Sequence, residues 1–201
     1  MTHSDEELVR RFRGGDESAF EALVARWYAP LLQLAWRLTG QREEAEEIRQ
    51  MALIQTYRAA DRFEERSRFS TWIYRVCLNL ARDRHRRKHV RLRAVDSLAD
   101  EAAPDVEAHT PLASFERQER VERVAEAVLA LPSEIREVVV LRSYHDLSFP
   151  AIAEIIGAPV TTVKSRMQRG LDKLRSRLQP LGPQDSPQEA SNCAPVREAT
   201  P

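Results

Sequence analysis

At 201 residues, the chain is long enough for one domain of ordinary size or for two small ones. Its hydrophobic fraction of 42% suits helical cores, and no apolar run approaches the length of a membrane span, so membrane insertion is not expected. The first residues, MTHSDEELVRRF, are polar and charged, which argues against a secretory signal and predicts a cytoplasmic protein.

The charges are balanced but segregated along the chain. There are 31 Lys and Arg against 31 Asp and Glu, and seven of the cations lie within residues 82–93. A second basic cluster lies within 164–177, whereas 94–116 contains several carboxylates and no Lys or Arg. This segregation predicts two anion-binding surfaces with an acidic segment between them.

Three helices are predicted before the first basic cluster. Residues 5–12 form a short helix that is ended by Gly14-Gly15. A longer helix follows, with apolar side chains at helical spacing, and Pro30 is expected to kink or break it before Gly40 closes it. The third helix, over 43–60, starts with acidic residues, which suit a helix N-terminus.

The stretch 66–93 combines an aromatic, apolar first part with a cationic second part. Its apolar stripe at helical spacing consists of Phe69, Trp72, Ile73, Val76 and Leu80, which usually indicates core. Ser70 is predicted to cap this helix. The residues left for the outer face are Thr71, Tyr74, Arg75, Asn79 and Asp83. Because seven cations within twelve residues would repel one another on an isolated helix, we expect a nucleic-acid phosphate backbone beside them.

The stretch 95–114 is rich in proline, alanine and acids without a helical stripe, which predicts an extended or disordered linker. Two helices are predicted after it, over 115–130 and 134–143. The positions expected inside the first of them are Val121, Val124, Val128 and Leu129. The proline-rich tail, 181–201, is expected to be disordered.

Residues 148–178 have the pattern of a helix-turn-helix. Ser148 caps a short helix that tolerates Pro150 in its first turn, 157–159 form the turn, and a second helix covers 161–178. The predicted buried stripe of the second helix is Val163, Met167, Leu171, Leu174 and Leu178. Its opposite face carries Lys164, Ser165, Gln168, Arg169 and Arg175. Such a face suits phosphates and base edges in a major groove, although many helix pairs of this kind are merely structural.

The string RFSTWIYRVCLNLARDRHRR, residues 68–87, resembles the promoter-melting segment of bacterial sigma factors of the extracytoplasmic-function (ECF) group. Residues 7–31 and 43–63 resemble the segments that precede it in that family, and 130–174 resemble its minus-thirty-five reading domain. The resemblance covers about 5–93 and 117–178. It implies an all-α chain of two small helical domains, joined by a flexible acidic linker, the second containing a helix-turn-helix.

The resemblance also implies a contact with RNA polymerase. In the family, the helix equivalent to 43–60 docks on the clamp helices of the largest polymerase subunit, which assigns the contact here to Glu47, Gln50 and Gln55. Two positions depart from the family pattern, because Met51 replaces the usual acid after the Gln and Glu47 replaces the usual aspartate.

Contacts to two promoter elements are implied in the same way. In the family the melting segment contacts the minus-ten element of the non-template strand and helps to hold a flipped base. The positions implied here are Phe63, Trp72, Arg75, Asn79, Asp83, Arg86 and Arg87. The minus-thirty-five contacts fall on Lys164, Ser165, Gln168 and Arg169, with Gln168 standing where an aromatic residue or His is frequent.

We therefore predict a transcription initiation factor that binds core RNA polymerase, reads minus-ten and minus-thirty-five elements and melts promoter DNA. It is expected to be no enzyme and to need no cofactor, and an anti-sigma factor stays open as a further partner. The expected domains are 1–94 for polymerase binding and melting, 95–114 for the linker, 115–180 for the helix-turn-helix and 181–201 for the tail.

Two other classes of protein were compared with this prediction. A stand-alone helix-turn-helix regulator is the alternative, but it leaves the basic, aromatic helix at 66–93 unexplained. A metal-dependent enzyme is suggested by His85 and His89, one helical turn apart. It is disfavoured because the surrounding cations repel a divalent metal and no carboxylate or Cys completes a ligand set.

Overall fold

In the part of the chain that the structure describes, eight α-helices form where apolar side chains recur every three or four residues. The computed structural model describes residues 3–60, 63, 68–94 and 115–178. Its helices are α1 (Asp5–Arg13), α2 (Glu17–Thr39), α3 (Arg42–Ala59), α4 (Phe69–Ala94), α5 (Phe115–Leu129), α6 (Ser133–Ser143), α7 (Phe149–Ile156) and α8 (Val160–Leu178). Because the described ranges contain no β-strand, the predicted all-α class is confirmed.

Several sequence predictions concern parts of the chain outside the described residues. These are the acidic linker, the proline-rich tail, and the side chains of the last cations of the first basic cluster, Arg91 and Arg93. Among the helices that are described, none has the length and apolar character needed to cross a membrane.

The predicted helix ends at Ser148, Gly40 and Gly157 are confirmed. The Ser148 hydroxyl accepts a hydrogen bond from the backbone N–H of Ala151 at 3.3 Å, which caps α7. Gly40 and Gly157 end α2 and α7 with φ of 73° and 70°, a left-handed conformation that a side chain would strain.

Pro30 does not break α2, so of the predicted kink or break the break is wrong. The helix continues from Glu17 to Thr39 with Pro30 inside it. A proline here removes one backbone hydrogen bond and costs about 3 kcal/mol in an ordinary helix. This cost is offset because α2 is buried on both sides of the proline, through Leu23 and Trp27 before it and Leu31 after it.

The start of α4 also differs from the prediction. Phe69, not Ser70, is its first residue, so Ser70 lies inside the first turn and cannot be the cap. The backbone N–H of Phe69 instead donates to the Glu6 carboxylate of α1 at 3.0 Å. Two residues predicted on the outer face, Thr71 and Tyr74, are buried at 3% and 6% exposure because neighbouring helices cover that side of α4.

One hydrophobic core runs through the N-terminal half, α1–α4, and the C-terminal half, α5–α8. The core of the first half continues into Val138, Leu141, Ile152 and Ile156 of the second. The halves meet where α2 packs against α5 and α6, and where α4 packs against α7. We call this packing the closed arrangement.

Helix α8 is rotated slightly from its predicted orientation. Val163 is fully buried, but Leu171 is 41% exposed, and Gly170 takes the buried position instead. A Cβ at Gly170 would lie 2.5 Å from Val139 Cγ2, so the missing side chain lets α8 approach α6 closely. In α5, Val121 is likewise exposed, not inside as predicted.

Candidate nucleic-acid interface

Two basic side chains of α4, Arg86 and Arg87, point into solvent. Asn79, Arg86 and Arg87 are exposed, and Asp83 is half-buried beside them. The Asp83 carboxylate accepts a hydrogen bond from Arg86 at 3.0 Å, which is a surface pair of small energetic value. This side of α4 is therefore free to meet an extended anion.

A groove between α3 and α4 joins these basic side chains to the predicted polymerase-binding residues. Glu47, Gln50 and Gln55 are all exposed on α3, and Glu47 forms an ion pair with Arg84 of α4. The groove has a volume of about 480 Å³. Its lining is completed by Ile48, Met51, Ile54, Leu80, Asp83 and Arg87. The residues predicted for polymerase and for DNA thus share one continuous surface.

The aromatic residues predicted for the minus-ten element lie mostly inside the protein. Phe63 is only 4% exposed, and its ring centroid lies 5.6 Å from that of Phe69 and 5.4 Å from that of Trp72. Trp72 is half-buried. The guanidinium of Arg13 donates to the carbonyl oxygens of Ala60 and Phe63. In this arrangement the Phe63 ring supports the start of α4 and does not face solvent.

Two further arginines of α4, Arg75 and Arg82, contact the C-terminal half. Arg75 donates to the carbonyl oxygen of Glu154 at 2.6 Å. Arg82 donates to both carboxylate oxygens of Glu137, at 2.8 and 2.6 Å. Paired hydrogen bonds of this kind are the strongest form of an arginine–carboxylate contact.

Tyr74, beside Arg75, belongs to the same contact between the halves. Its hydroxyl group forms a hydrogen bond with Nδ1 of His145 at 3.0 Å. Burial raises the pKa of Tyr74 to about 12, and it lowers the pKa of His145 to about 4. The second shift is reinforced by the nearby cation of Arg37, so His145 is neutral at ordinary pH.

The four residues predicted for the minus-thirty-five element lie together on the exposed face of α8. Lys164, Ser165, Gln168 and Arg169 all face solvent. The Gln168 amide donates to the Asp172 carboxylate at 3.1 Å, which holds it along the helix surface. Helix α7 ends at Gly157, which has a left-handed conformation, and α8 begins after a short turn. This succession of helix, turn and helix is the geometry of a helix-turn-helix.

Other reactive groups in the described residues do not assemble into a site. Cys77 is fully buried, and burial raises the pKa of its thiol to about 12. Within the described part of the chain, no group of three or more His, Cys, Asp or Glu could hold a metal ion.

Sequence reasoning did not identify Glu137 as a partner of α4. A signal was available, because Glu137 stands in the apolar run IREVVVL, and a carboxylate among buried positions requires a partner. The structure buries Glu137 to 5% exposure and supplies Arg82. The first basic cluster, 82–93, was predicted to face a nucleic acid, so sequence reasoning did not expect Arg82 to bind a buried carboxylate.

Two family models match the two parts of the chain that carry these exposed faces. A family model described as Sigma-70 region 2 matches residues 23–91, which include α3 and most of α4. A second, described as Sigma-70, region 4, matches 122–174, which include the helix-turn-helix.

Curated relatives match over nearly the whole chain. The RNA polymerase sigma-H factor of Pseudomonas aeruginosa is 33% identical over 185 residues, covering 88% of this chain and 95% of the relative. The ECF RNA polymerase sigma factor SigW of Bacillus subtilis is 32% identical, covering 86% and 96%. The ECF RNA polymerase sigma-E factor of Escherichia coli is 31% identical, covering 89% and 96%.

Solved structures share the fold. CnrH, solved in complex with the cytosolic domain of CnrY, superposes with a TM-score of 0.65 at 25% identity, covering 87% of this chain and 96% of that one. The sigma factor RpoE of Bartonella quintana, solved with the anti-sigma factor NepR, has a TM-score of 0.66 at 21% identity, covering 79% and 96%. The chain belongs to the extracytoplasmic-function group of the sigma-70 family and is a sigma factor of transcription initiation.

Proposed function

We propose that this sigma factor binds core RNA polymerase, directs it to promoters by reading minus-ten and minus-thirty-five elements, and promotes melting of the DNA. The observation that carries the proposal is the pair of exposed polar and basic faces, one on α4 and one on α8. In this proposal 1–94 bind polymerase and melt DNA, 115–180 read the upstream element, and 95–114 connect them.

The face of α4 supplies two different kinds of contact to the minus-ten element. The guanidinium groups of Arg86 and Arg87 neutralise phosphates and bind DNA without regard to sequence. The amide of Asn79 offers both a donor and an acceptor to the edge of a base that has left the stack. Because such a base is reachable only after unpairing, its capture stabilises the melted strand over the duplex.

The face of α8 has the chemistry for reading a major groove. A glutamine such as Gln168 can form two hydrogen bonds with adenine, and an arginine such as Arg169 can do so with guanine. Lys164 and Ser165 lie closer to the N-terminus of α8 and suit phosphate contacts, which fix the position of the helix on the duplex.

The proposed polymerase contact uses the outer surface of α3. Glu47, Gln50 and Gln55 are exposed there, and Met51 adds an apolar side chain that is 45% exposed. An apolar side chain ringed by polar groups is typical of a protein-binding surface. Met51, which departs from the family pattern, would add apolar area where that pattern has a charge.

A regulatory protein partner belongs to the same proposal. CnrH, which is 25% identical to this chain, was solved bound to the cytosolic domain of CnrY. We propose that a partner of this kind binds the chain and controls its access to polymerase.

Run-off transcription with core polymerase on a pool of genomic fragments tests the proposal. Core enzyme with the purified chain should yield discrete transcripts that are absent with core enzyme alone. A protein that yields no transcript, yet binds a duplex tightly without polymerase, would instead be a stand-alone helix-turn-helix regulator.

A further inference from the structure

We propose that α1 positions the minus-ten contacts, with Glu6 and Arg13 as the two positioning residues, because they hold opposite ends of the connection between α3 and α4. In this proposal neither side chain touches DNA. Their role is to fix where the connection and the first turn of α4 lie beside a melted strand. This inference rests on the proposed function, since it concerns the same promoter contacts, and it extends that function to α1.

The connection lies at one end of a row of residues that are proposed to meet the minus-ten element. At about 100° per residue, Trp72, Asn79 and Arg86 fall within an arc of about 40° on α4 and span about 21 Å along it. Trp72 is the member of this row nearest to the connection, and its ring centroid lies 5.4 Å from that of Phe63. A strand that follows the row toward the start of α4 therefore reaches the connection.

Arg13 holds the end of the connection that follows α3. Its guanidinium donates two hydrogen bonds to the carbonyl oxygen of Ala60, at 2.8 and 2.6 Å, and one to the carbonyl oxygen of Phe63. Ala60 is the C-cap of α3, and the last carbonyl groups of a helix lack partners within it and favour a cation. One side chain thus binds the end of α3 and fixes the backbone of Phe63.

Glu6 holds the other end of the connection with the opposite charge. Its carboxylate accepts a hydrogen bond from the backbone N–H of Phe69 at 3.0 Å. The first N–H groups of a helix carry a partial positive charge, so a carboxylate suits the start of α4 as a guanidinium suits the end of α3. The Phe69 ring is fully buried, and its centroid lies 5.6 Å from those of Phe63 and Trp72. A displaced Phe69 would therefore displace both of these rings.

Helix α1 is itself held firmly enough to serve as the reference for both ends. Its apolar side reaches the core through Leu8, which is 3% exposed, and the ring centroid of Phe12 lies 5.1 Å from that of Tyr57 in the last turn of α3. Glu6 and Arg13 lie seven residues apart, so they share one face of α1 and are about 10 Å apart along its axis. One packed helix therefore sets the separation between the two ends of the connection.

Two substitutions of opposite charge distinguish positioning from a direct electrostatic effect on DNA. Arg13→Ala removes a positive charge and Glu6→Ala removes a negative one, yet each releases one end of the connection. Permanganate reactivity of minus-ten thymines, measured with core polymerase at equal promoter occupancy, should fall by about fivefold in both variants, the effect of one lost helix cap on an equilibrium. Changes of opposite sign would show that the two charges act on DNA directly and would overturn the inference.

Conservative substitutions and matched controls test the hydrogen bonds themselves. Glu6→Gln keeps an acceptor and Arg13→Lys keeps a donor, so each should recover part of the lost reactivity. Glu7→Ala, which removes a surface pair with Arg10, and Arg123→Ala, at an exposed position of α5, should leave the reactivity unchanged. An equal loss in these controls would show a general charge effect and would contradict the inference.

Selection from a promoter library randomised at the minus-ten element gives a readout that a loss of stability alone would not change. Both alanine variants should accept a wider set of minus-ten elements than the unaltered chain, with the same preference at the upstream element. Circular dichroism checks that each variant is folded at the assay temperature, and Glu6→Gln and Arg13→Lys replace an alanine variant that unfolds. An unchanged minus-ten preference would leave both residues with a stabilising role only and would refute the inference.

The proposed function and the positioning role fail in different ways. If the unaltered chain with core polymerase opens no promoter, the proposed function is wrong. If it opens promoters and both alanine variants open them equally well, only the positioning role of α1 is wrong.

Discussion

The carboxylate of Glu6 in α1 accepts a hydrogen bond from the backbone N–H of Phe69, the first residue of α4, at 3.0 Å. The first N–H groups of a helix have no partner within the helix, so Glu6 caps α4 across 63 positions of sequence. From the other end of α1, Arg13 binds the carbonyl oxygens of Ala60 and Phe63. The short first helix thus fixes the entry to the proposed melting helix.

Removing this cap should destabilise the N-terminal half. Glu6→Ala leaves the N–H of Phe69 without its acceptor and should lower the free energy of unfolding by about 1 kcal/mol, as for other lost helix caps. Glu6→Gln retains an acceptor oxygen and should lose less. Urea denaturation measures the difference. Glu7→Ala, which removes only a surface pair with Arg10, is the control and should change stability by less than about 0.5 kcal/mol.

The sequence was sufficient for the local features of the fold. Apolar spacing predicted the helices, and the caps at Ser148 and Gly40 followed from the chemistry of single residues. The exposed face of α8 was also predicted, because the polar residues on it share one side of a strongly amphipathic helix. These features depend on residues that are close in sequence.

The features that sequence reasoning missed depend on distant residues. Ser70 has the chemistry of a cap, but Glu6 is brought to the helix start by packing of α1. Tyr74 is amphipathic and suits an exposed face equally well, until His145 and Trp27 cover it. The Arg82 side chain likewise points toward the C-terminal half because it binds Glu137, which lies 55 positions away in sequence.

Exchanging the charges of Glu47 in α3 and Arg84 in α4 distinguishes a direct polymerase contact by Glu47 from its ion pair with Arg84. Glu47→Arg should weaken assembly with core polymerase while helical content stays intact, because Glu47 is exposed. It also breaks the pair with Arg84, and the double variant Glu47→Arg, Arg84→Glu restores that pair with reversed charges. Co-purification with core enzyme should remain weak in the double variant. Full recovery there would show that Glu47 acts only through Arg84.

Acid should weaken the contact between the halves through His145. Its pKa in the folded protein is lowered to about 4 from 6.5, so between these values the unfolded chain binds a proton that the folded chain does not. Stability therefore falls as pH falls through this window, by at most about 2 kcal/mol near pH 5. Protonation would place a second cation beside Arg37, and the Asp146 carboxylate would oppose this effect.

A variant that lacks the imidazole at position 145 isolates this effect from the titration of carboxylates. His145→Gln keeps a side chain that can form a hydrogen bond with the Tyr74 hydroxyl, but the glutamine side chain does not titrate. The unfolding free energy of the unaltered chain should fall more between pH 7 and pH 5 than that of the variant. Equal slopes for the two proteins would reject the assignment.

Base recognition and phosphate binding should depend on different residues of α8. Gln168→Ala and Arg169→Ala should change which upstream elements are accepted, because each good pairing with a base is worth about 1–3 kcal/mol of discrimination. Arg175, farther along the helix, should affect affinity alone when replaced by Ala. Selection from a promoter library randomised at the upstream element measures both effects. The same preferred element from every variant would assign the specificity to DNA shape.

Permanganate reactivity of promoter thymines tests the central claim most directly, because it reports melting by the assembled holoenzyme. Asn79 is exposed, so Asn79→Ala should leave folding and closed-complex binding nearly intact. With the unaltered chain and core polymerase, thymines of the minus-ten element should become reactive, and the variant should show clearly reduced reactivity at equal occupancy. Equal reactivity with both proteins would contradict the assignment of melting to this face of α4.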